Sequence, residues 1–223
     1  MGLDIIRLHK NPMHTLLGLR GLRIQTVIDV GANKGQFSSY IRSVFPQACL
    51  YCFEPLPGPY KELQQWASLQ KNVKLFNLAL GDAEGTAKMF HHVEHSTSSS
   101  LLSSTELSEA LYPFTQRQET IVVPLATLDG ALDRVNEFLL PEILIKLDVQ
   151  GYEERVIDGG RRIFSEAKAC IVEVCLDELY SGQADFKRLV LTLYDLGFHY
   201  IGNLDQNFGD DGHVIFLDAV FIR

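Results

Sequence analysis

The sequence predicts an α/β fold of three layers, in which helices cover both faces of a mostly parallel sheet of seven strands. Three observations favour this fold. From Val27 onward, short apolar runs alternate with amphipathic stretches, as in proteins built from β-α-β units. The first run ends at a glycine-containing turn. The last two runs are joined by a polar loop without a helix, which predicts a C-terminal antiparallel hairpin.

Apolar periodicity predicts the individual elements in chain order. The predicted strands of the main sheet are 27–30, 49–53, 73–80, 143–147, 169–175, 200–201 and 214–222. The predicted helices are 35–44, 59–69, 153–164 and 184–196. Residues 82–127 break the alternation, with added strands at 86–90 and 120–123 and a polar insert between them. A connection of that length is either mobile or functional.

Length and composition set the domain organisation. With 223 residues, 46% of them apolar and 22% charged, the chain predicts one domain over residues 25–223 preceded by a helical extension, residues 1–24. The formal net charge of −8 disfavours nucleic acid as a partner. The sequence has neither an apolar run of about 20 residues nor a secretion signal at its start. We therefore expect a cytoplasmic protein without a membrane span.

The turn after the first predicted strand has the spacing of a ligand site. Asp29, Gly31 and Gly35 follow the pattern Asp-x-Gly-x-x-x-Gly, and the glycines lack side chains that would keep a ligand from the backbone. Glu54 ends the second strand 25 residues after Asp29, where a carboxylate can accept hydrogen bonds from both hydroxyls of a ribose. Residues 77–82 end the third strand, where an adenine ring would lie. Together these strand ends predict an adenosine-containing ligand.

The same turn separates two classes of adenosine ligand. Dinucleotide sites have the pattern Gly-x-Gly-x-x-Gly, but Asn33 stands at the middle glycine position and the third glycine is absent. S-adenosylmethionine has no pyrophosphate, and its ammonium group needs an anion, which Asp29 supplies. A final hairpin on a parallel sheet also distinguishes methyltransferase folds from dinucleotide-binding folds. We therefore expect S-adenosylmethionine as cofactor, the alternative being that the glycines only shape a turn.

Five motifs in order resemble those of the FkbM-type methyltransferases. They are Val27-Ile28-Asp29-Val30-Gly31-Ala32-Asn33-Lys34-Gly35-Gln36-Phe37, Phe53-Glu54-Pro55, Ala79-Leu80-Gly81-Asp82, Ser99-Ser100-Leu101 and Ile145-Lys146-Leu147-Asp148-Val149-Gln150-Gly151-Tyr152-Glu153. The resemblance runs from about Val27 to the C-terminus. It implies a class I methyltransferase fold, a Rossmann-like three-layer sandwich. It also implies methyl transfer, usually to a hydroxyl oxygen of a sugar or secondary metabolite, so the expected partner is a small-molecule or glycan acceptor.

The resemblance assigns residues to the cofactor and shows one departure. The expected cofactor-binding residues are Asp29, Gly31, Ala32, Asn33, Gly35, Phe37, Glu54, Pro55, Ala79, Leu80, Ser99, Ser100 and Asp148. Ser99 and Ser100 match the serine pair of the family and are expected to bond the cofactor or close over it. The family generally has a second acid where this chain has Gln150. If that acid binds a metal or holds the substrate, its role is weakened or changed here.

Three acids are candidates for the chemistry. Methyl transfer to a hydroxyl requires positioning of the acceptor and removal of its proton. Asp148 ends the fourth main strand and is the first candidate for general base or acceptor anchor, although an acid there can also cap the next helix. Glu173 lies inside the apolar run 171–174 and needs a partner or a wet site. Near the carboxyl end of the fifth strand, it is expected to point towards the pocket and to contact the substrate or complete an acidic cluster with Asp148. Glu153 is in the first helical turn, where the helix dipole stabilises an acid in any case.

Several histidines leave a weaker alternative open. His91, His92 and His95 invite a metal site or a single histidine base, but such loops are more often solvent-exposed, so a divalent metal is not predicted. Asn207 and His213 in the last loop are weak candidates for the acceptor side.

Three functions therefore remain at this stage. The first is O-methylation of a small molecule, the second methylation of a nitrogen or a protein side chain, and the third binding of the cofactor or a nucleotide without catalysis. The motif Asp148-Val149-Gln150-Gly151 differs from the Asn/Asp-Pro-Pro-aromatic motif common in nitrogen methylation.

Overall fold

A sheet of seven strands organises the fold in the computed structural model, which describes residues 15–135 and 139–223. In chain order its strands are β1 (Thr26–Val30), β2 (Cys49–Phe53), β3 (Val73–Phe76), β7 (Ile143–Leu147), β8 (Ala169–Cys175), β9 (His199–Phe208) and β10 (Val214–Ile222). Across the sheet they follow the order β3-β2-β1-β7-β8-β10-β9. Strand β10 runs antiparallel to both of its neighbours, β8 and β9, whereas the other strand pairs of this sheet are parallel. The predicted parallel sheet with a C-terminal hairpin is therefore confirmed.

Successive side chains of the central strands pack alternately into two hydrophobic cores, one on each face of the sheet. Ile28 and Val30 of β1 enter one core, whereas Val27 enters the other. This alternation follows from the strand period of two residues. Every residue of β1 and β7 is buried, as expected for parallel strands covered on both faces.

Short helices supply the two outer layers. They are α1 (Gln36–Val44), α2 (Pro57–Ala67), α3 (Glu106–Leu111), α4 (Leu128–Asp133), α5 (Glu153–Asp158), α6 (Arg161–Glu166) and α7 (Phe186–Asp195). Helices α1 and α2 bury Ile41 and Leu63 in the core that contains Val27. Helices α5 and α7 bury Val156 and Leu189 in the opposite core. These layers confirm the predicted three-layer α/β fold.

A second sheet of three strands stands beside the main one. It consists of β4 (Ala79–Leu80), β5 (Gly85–His92) and β6 (Gln118–Ala126), in the order β4-β6-β5. The prediction of a single strand 73–80 was wrong, because the chain leaves the main sheet after Phe76 and Ala79 pairs with Leu125. The predicted added strands at 86–90 and 120–123 are present and longer than expected.

Two other predicted elements differ in the structure. The predicted helix 153–164 is broken into α5 and α6 at Gly159-Gly160. A side chain on Gly159 would place its Cβ 1.9 Å from the carbonyl oxygen of Gly81, so close backbone packing requires glycine at this break. Strand β9 extends to Phe208, although we predicted a polar loop between the strands 200–201 and 214–222.

The described part of the N-terminal region packs against the main sheet. Leu16–Gly21 forms a short 3₁₀ segment interrupted at Leu17 and Gly18. Leu16 and Leu19 are buried in the core that contains Val27. The rest of the predicted helical extension, residues 1–14, lies outside the described residues, and the division at residue 24 stays a prediction. Within residues 15–135 and 139–223, no helix combines the length and apolar character needed to cross a bilayer.

Candidate functional site

A cavity of about 270 Å³ opens at the carboxyl ends of β1, β2 and β7. Its volume is just below the range of about 300–1,000 Å³ usual for small-ligand sites. The apolar part of its wall includes Phe37, Leu78, Leu80, Met89 and Leu101. The sheet topology explains its position, because ligands of open α/β sheets bind beyond the carboxyl ends of the strands.

Most of the predicted site residues meet at this cavity. The predicted residues that line it are Asp29, Gly31, Ala32, Asn33, Phe37, Glu54, Pro55, Ala79, Leu80, Ser99 and Asp148. Four other predicted residues, Gly35, Ser100, Glu153 and Glu173, are not among the residues that line it.

The turn after β1 is shaped by contacts within the protein. Gly31 has φ +81°, and a Cβ there would lie 1.9 Å from the carbonyl oxygen of Asp148. Gly35 has φ +90°, and a Cβ there would lie 3.0 Å from Leu63. Both glycines are needed because neighbouring chain segments approach them closely. This packing is a reason for glycine in addition to the expected one, access of a ligand to a bare backbone, which stays a prediction for Gly31 at the cavity wall.

Glu54 faces the cavity with both carboxylate oxygens already bonded to the backbone. Its Oε2 accepts from the N–H of Asn33 at 2.8 Å, and its Oε1 accepts from the N–H of Leu56 at 2.7 Å. Burial raises the pKa of Glu54 to about 7, and these two hydrogen bonds partly oppose that rise. Each oxygen keeps a second lone pair, so the carboxylate can still accept from two hydroxyls of a ligand.

Asp29 forms the buried floor beneath the glycine turn. Its carboxylate accepts a hydrogen bond from the hydroxyl of Ser38, at 2.5 Å. Burial raises the pKa of Asp29 to about 6, while Ser38 and the ammonium of Lys146 act in the opposite direction. An added positive charge in the cavity would stabilise the carboxylate form further.

Charged side chains form a row at the carboxyl ends of β7 and β8. Glu173 is the register partner of Asp218 on β10, and the preceding residue, Val172, pairs with Leu147, which comes just before Asp148. Neighbouring positions on adjacent strands project from the same face of a sheet. Asp148, Glu173 and Asp218 therefore project from one face, and only Asp148 and Asp218 reach the cavity wall.

Lys146 is the cation of this row. Its Nζ lies 2.7 Å from Asp218 Oδ1 and 3.6 Å from Asp148 Oδ2. The Lys146 side chain is 6% exposed and that of Asp148 34% exposed, so the carboxylate, not the ammonium, is open to a ligand. Burial disfavours the charged lysine, but the carboxylates of Asp148 and Asp218 outweigh burial and raise the pKa of Lys146.

Glu153 and Glu173 do not line the cavity but form hydrogen bonds with the turn after β7, next to Asp148. Glu153 accepts hydrogen bonds at 3.1 Å from the N–H groups of Val149 and Gly151, which fixes the turn after β7. Burial raises the pKa of Glu153 to about 7. Glu173 accepts a hydrogen bond from the amide of Gln150, and burial together with the nearby Asp148 raises its pKa well above the usual value.

Residues 96–100, which we call the serine segment, lie at the cavity. Ser96, Thr97 and Ser99 contribute to its wall. Ser96 accepts a hydrogen bond from Asn33 Nδ2 at 3.1 Å, so the segment is attached to the glycine turn. Ser100 instead points away from the cavity and donates to the backbone carbonyl of Gln150 at 2.7 Å.

The histidine candidates lie away from the cavity. His92 is fully buried beneath the serine segment, and neither of its ring nitrogens has a hydrogen-bond partner within the described residues. His95 packs on Phe114, and His213 bonds to Asp177 at 2.8 Å. Asn207 accepts from the hydroxyl of Tyr112 at 3.0 Å. Within the described residues, no group of three or more His, Cys, Asp or Glu side chains is arranged to hold a metal ion.

Sequence reasoning missed several residues of the wall. The most important are Lys146 and Asp218, and Met89, Thr97 and Tyr152 also contribute. A usable signal existed for the first two, since each is a charged residue inside an apolar strand, as Glu173 is. Such a residue needs a partner or a polar site.

Comparisons with known proteins agree with this geometry. The family described as "Methyltransferase FkbM domain" matches residues 29–200. The 2-O-methyltransferase NoeI of Sinorhizobium fredii (strain NBRC 101917 / NGR234) is 30% identical over 173 residues, which cover 74% of this chain and 69% of that protein. Methyltransferase 1 of Beauveria bassiana (strain ARSEF 2860) is 22% identical over 182 residues, covering 77% of this chain and 71% of that protein.

A solved structure shares the fold. The crystal structure of methyltransferase FkbM from Methylobacillus flagellatus KT superposes with a TM-score of 0.55 at 11% identity. The match covers 90% of this chain, which spans 44% of the length of that structure. The family match and the fold lead to one conclusion. The chain belongs to the FkbM methyltransferase family and is an S-adenosylmethionine-dependent methyltransferase.

Proposed function

We propose that this methyltransferase transfers a methyl group to a hydroxyl oxygen of a sugar or secondary-metabolite acceptor. One observation carries the proposal. A single cavity joins a buried carboxylate suited to ribose hydroxyls, Glu54, to a half-exposed carboxylate suited to an acceptor hydroxyl, Asp148. The relative named as a 2-O-methyltransferase supports oxygen as the acceptor atom.

The cavity fits the cofactor in chemistry as well as place. Glu54 and the backbone around Asn33 would hold the ribose, and apolar side chains such as Phe37 and Leu80 would enclose the adenine. Asp29 would lie near the ammonium group as its anion. S-adenosylmethionine, when bound, supplies an activated methyl group on a positively charged sulfur. The protein itself must then orient the acceptor and accept its proton.

Asp148 is the acid best placed to take that proton. Its Oδ1 accepts from Gln150 Nε2 at 2.9 Å, and its Oδ2 faces Lys146 at 3.6 Å. The carboxylate remains open to the cavity, as a general base must be to reach the acceptor. Glu173 and Glu153 are not among the residues that line the cavity, so a role for them in catalysis stays a prediction that requires them to act through other side chains.

Calorimetric titration with S-adenosylhomocysteine tests the cofactor part of the proposal. We expect wild type to bind and Glu54→Ala to bind at least about ten-fold more weakly, because a buried carboxylate accepts two hydrogen bonds in the proposed pose. Glu166→Ala, an exposed acid at the end of α6, is the matched control and should bind like wild type. Equal affinities of the Glu54 and Glu166 variants would contradict the proposed pose.

Radiolabelled methyl transfer tests the acceptor part. Hydroxylated sugars and secondary metabolites are screened against amines and peptides with methyl-labelled cofactor, using wild type and Asp148→Asn. We expect label on oxygen acceptors only, and a fall in kcat of about 100-fold in the variant with unchanged affinity for S-adenosylhomocysteine. Label confined to nitrogen, or full activity of Asp148→Asn, would contradict the proposal.

A further inference from the structure

Gln150 occupies a special position in the turn after β7. Its backbone has φ +57°, a left-handed conformation that is uncommon for a residue with a side chain. The next residue, Gly151, is packed so closely on Tyr180 that an added Cβ would lie 3.0 Å from the Tyr180 Cβ. The turn therefore holds the Gln150 side chain between the end of β7 and the segment after β8.

Both the nitrogen and the oxygen of the Gln150 side-chain amide form hydrogen bonds. Its Nε2 donates to Asp148 Oδ1 at 2.9 Å and also to a carboxylate oxygen of Glu173. Its Oε1 accepts from the hydroxyl of Tyr180 at 2.6 Å. The reverse orientation would place the amide oxygen against two carboxylates, so the charges around the amide fix its direction.

The same network reaches the serine segment. The Tyr180 hydroxyl also lies 3.1 Å from the backbone carbonyl of Ser98. The Ser100 hydroxyl donates to the backbone carbonyl of Gln150 at 2.7 Å. Other residues of this segment, Ser96, Thr97 and Ser99, line the cavity. The side chain and backbone of Gln150 therefore connect this part of the cavity wall to Asp148.

We propose that Gln150 is a positioning residue, whose amide holds the Asp148 carboxylate for proton transfer and couples it to the serine segment through Tyr180. The proposal rests on the proposed role of Asp148 in methyl transfer to oxygen. An amide suits this place because it donates to two carboxylates without adding charge. A glutamate of the same size would bring a third carboxylate against Asp148 and Glu173.

The charges around Asp148 show why that third carboxylate would be costly. The charged groups around it are Lys146 on β7, Glu173 on β8, Asp218 on β10, Glu153 on α5, Asp29 on β1 and Glu54 after β2. The only cation among these groups is Lys146. Like charges that share a site with one cation favour uptake of a proton.

The first test compares Gln150→Glu and Gln150→Ala with wild type in the acceptor assay. We expect both variants to lose at least about ten-fold in kcat, while their affinity for S-adenosylhomocysteine stays within about two-fold of wild type. The ratio of Gln150→Glu activity to wild-type activity should rise as the pH falls, because a protonated glutamic acid can again donate to Asp148. For Gln150→Ala that ratio should not rise.

Matched controls separate this effect from general damage. Gln65→Glu makes the same chemical change on the exposed surface of α2 and should leave kcat and its pH profile unchanged. The proposal is overturned if Gln150→Glu keeps wild-type kcat, or if its activity ratio to wild type is independent of pH. Either result would mean that size alone, not donation by the amide, matters at this position.

A second measurement does not depend on catalysis. Hydrogen exchange of residues 96–102, with S-adenosylhomocysteine bound, should be at least about five-fold faster in Gln150→Ala and in Tyr180→Phe than in wild type. Tyr194→Phe, at an exposed tyrosine of α7, is the control and should exchange like wild type. Unchanged exchange in both test variants would overturn the coupling to the serine segment.

The two measurements distinguish failure of this inference from failure of the proposed function. If Asp148→Asn is fully active, Asp148 is not the general base. The hydrogen-exchange measurement then tests by itself whether Gln150 is coupled to the serine segment. If Asp148→Asn is inactive but the Gln150 variants have wild-type kcat and exchange, the proposed function stands and the positioning role of Gln150 is wrong.

Discussion

The ammonium of Lys146 lies 2.7 Å from the carboxylate of Asp218, although the two residues are separated by 72 positions in the chain. The pair joins the central parallel strand β7 to the antiparallel strand β10 across β8. The same ammonium also faces Asp148, at 3.6 Å. Lys146 therefore holds the carboxylates of both Asp148 and Asp218 in place at the cavity wall.

Lys146→Met tests how much the ion pairs of Lys146 with Asp148 and Asp218 contribute to stability. The variant keeps the aliphatic stem but leaves Asp148 and Asp218 without their cation. We expect the free energy of unfolding to fall by about 3 kcal/mol, near the lower end of the cost of breaking a buried ion pair, since both carboxylates partly reach solvent. Urea denaturation measures the change. Lys187→Met, at an exposed lysine of α7, is the control and should differ from wild type by less than about 0.5 kcal/mol.

The pH dependence of cofactor affinity tests the protonation state of the two buried acids, Asp29 and Glu54. Without ligand, burial raises the pKa of Asp29 to about 6 and that of Glu54 to about 7. In the proposed pose both acids bind the ligand as carboxylates, so binding lowers their pKa values and releases protons. The affinity for S-adenosylhomocysteine should therefore rise as the pH increases through these values and level off above about 7.

Calorimetry in two buffers of different protonation enthalpy measures the released protons directly. Glu54→Gln should abolish the step near the higher pKa, whereas Glu166→Gln should keep it. An affinity that falls with increasing pH over this range would show that the acids bind the ligand in protonated form, against the proposed pose.

Gly31→Ala tests the reason for the glycine in the turn after β1. A methyl group there has to overlap the Asp148 carbonyl oxygen, at 1.9 Å, and the backbone has φ +81°. Gly212→Ala is a matched comparison, with φ +87° and no atom within 4 Å of the added Cβ. The left-handed backbone alone should cost about 1–2 kcal/mol in each variant. Overpacking should add about 1–3 kcal/mol in Gly31→Ala only.

Chemical denaturation without cofactor measures both glycine variants. A larger loss for Gly31→Ala would show that the contact between the β1 turn and the end of β7 stabilises the protein itself. Equal losses of unfolding free energy in the two variants would contradict this explanation. Ligand access would then be the remaining reason for glycine at position 31.

Local patterns were sufficient for the central strands and for the glycine turn. The bounds of β7 and β8 agree with the predicted strands because each is a mainly apolar run that begins directly after a charged residue, Glu142 or Lys168. Prediction was less successful at β9, whose residues beyond position 203 are mostly polar and partly exposed. An edge strand with one open side needs no apolar pattern, so its sequence resembled a loop.

The sequence by itself determined the strand ends and their chemistry: an acid and glycines after β1, Glu54 after β2 and Asp148 after β7. Each of these depends on a few adjacent residues, so local periodicity and turn chemistry reveal them. The tertiary structure alone decided that Lys146 meets Asp218 and that Gln150 joins Asp148 to Tyr180. Such contacts follow from the order of strands in the sheet, which is set by long-range packing and is absent from any local pattern.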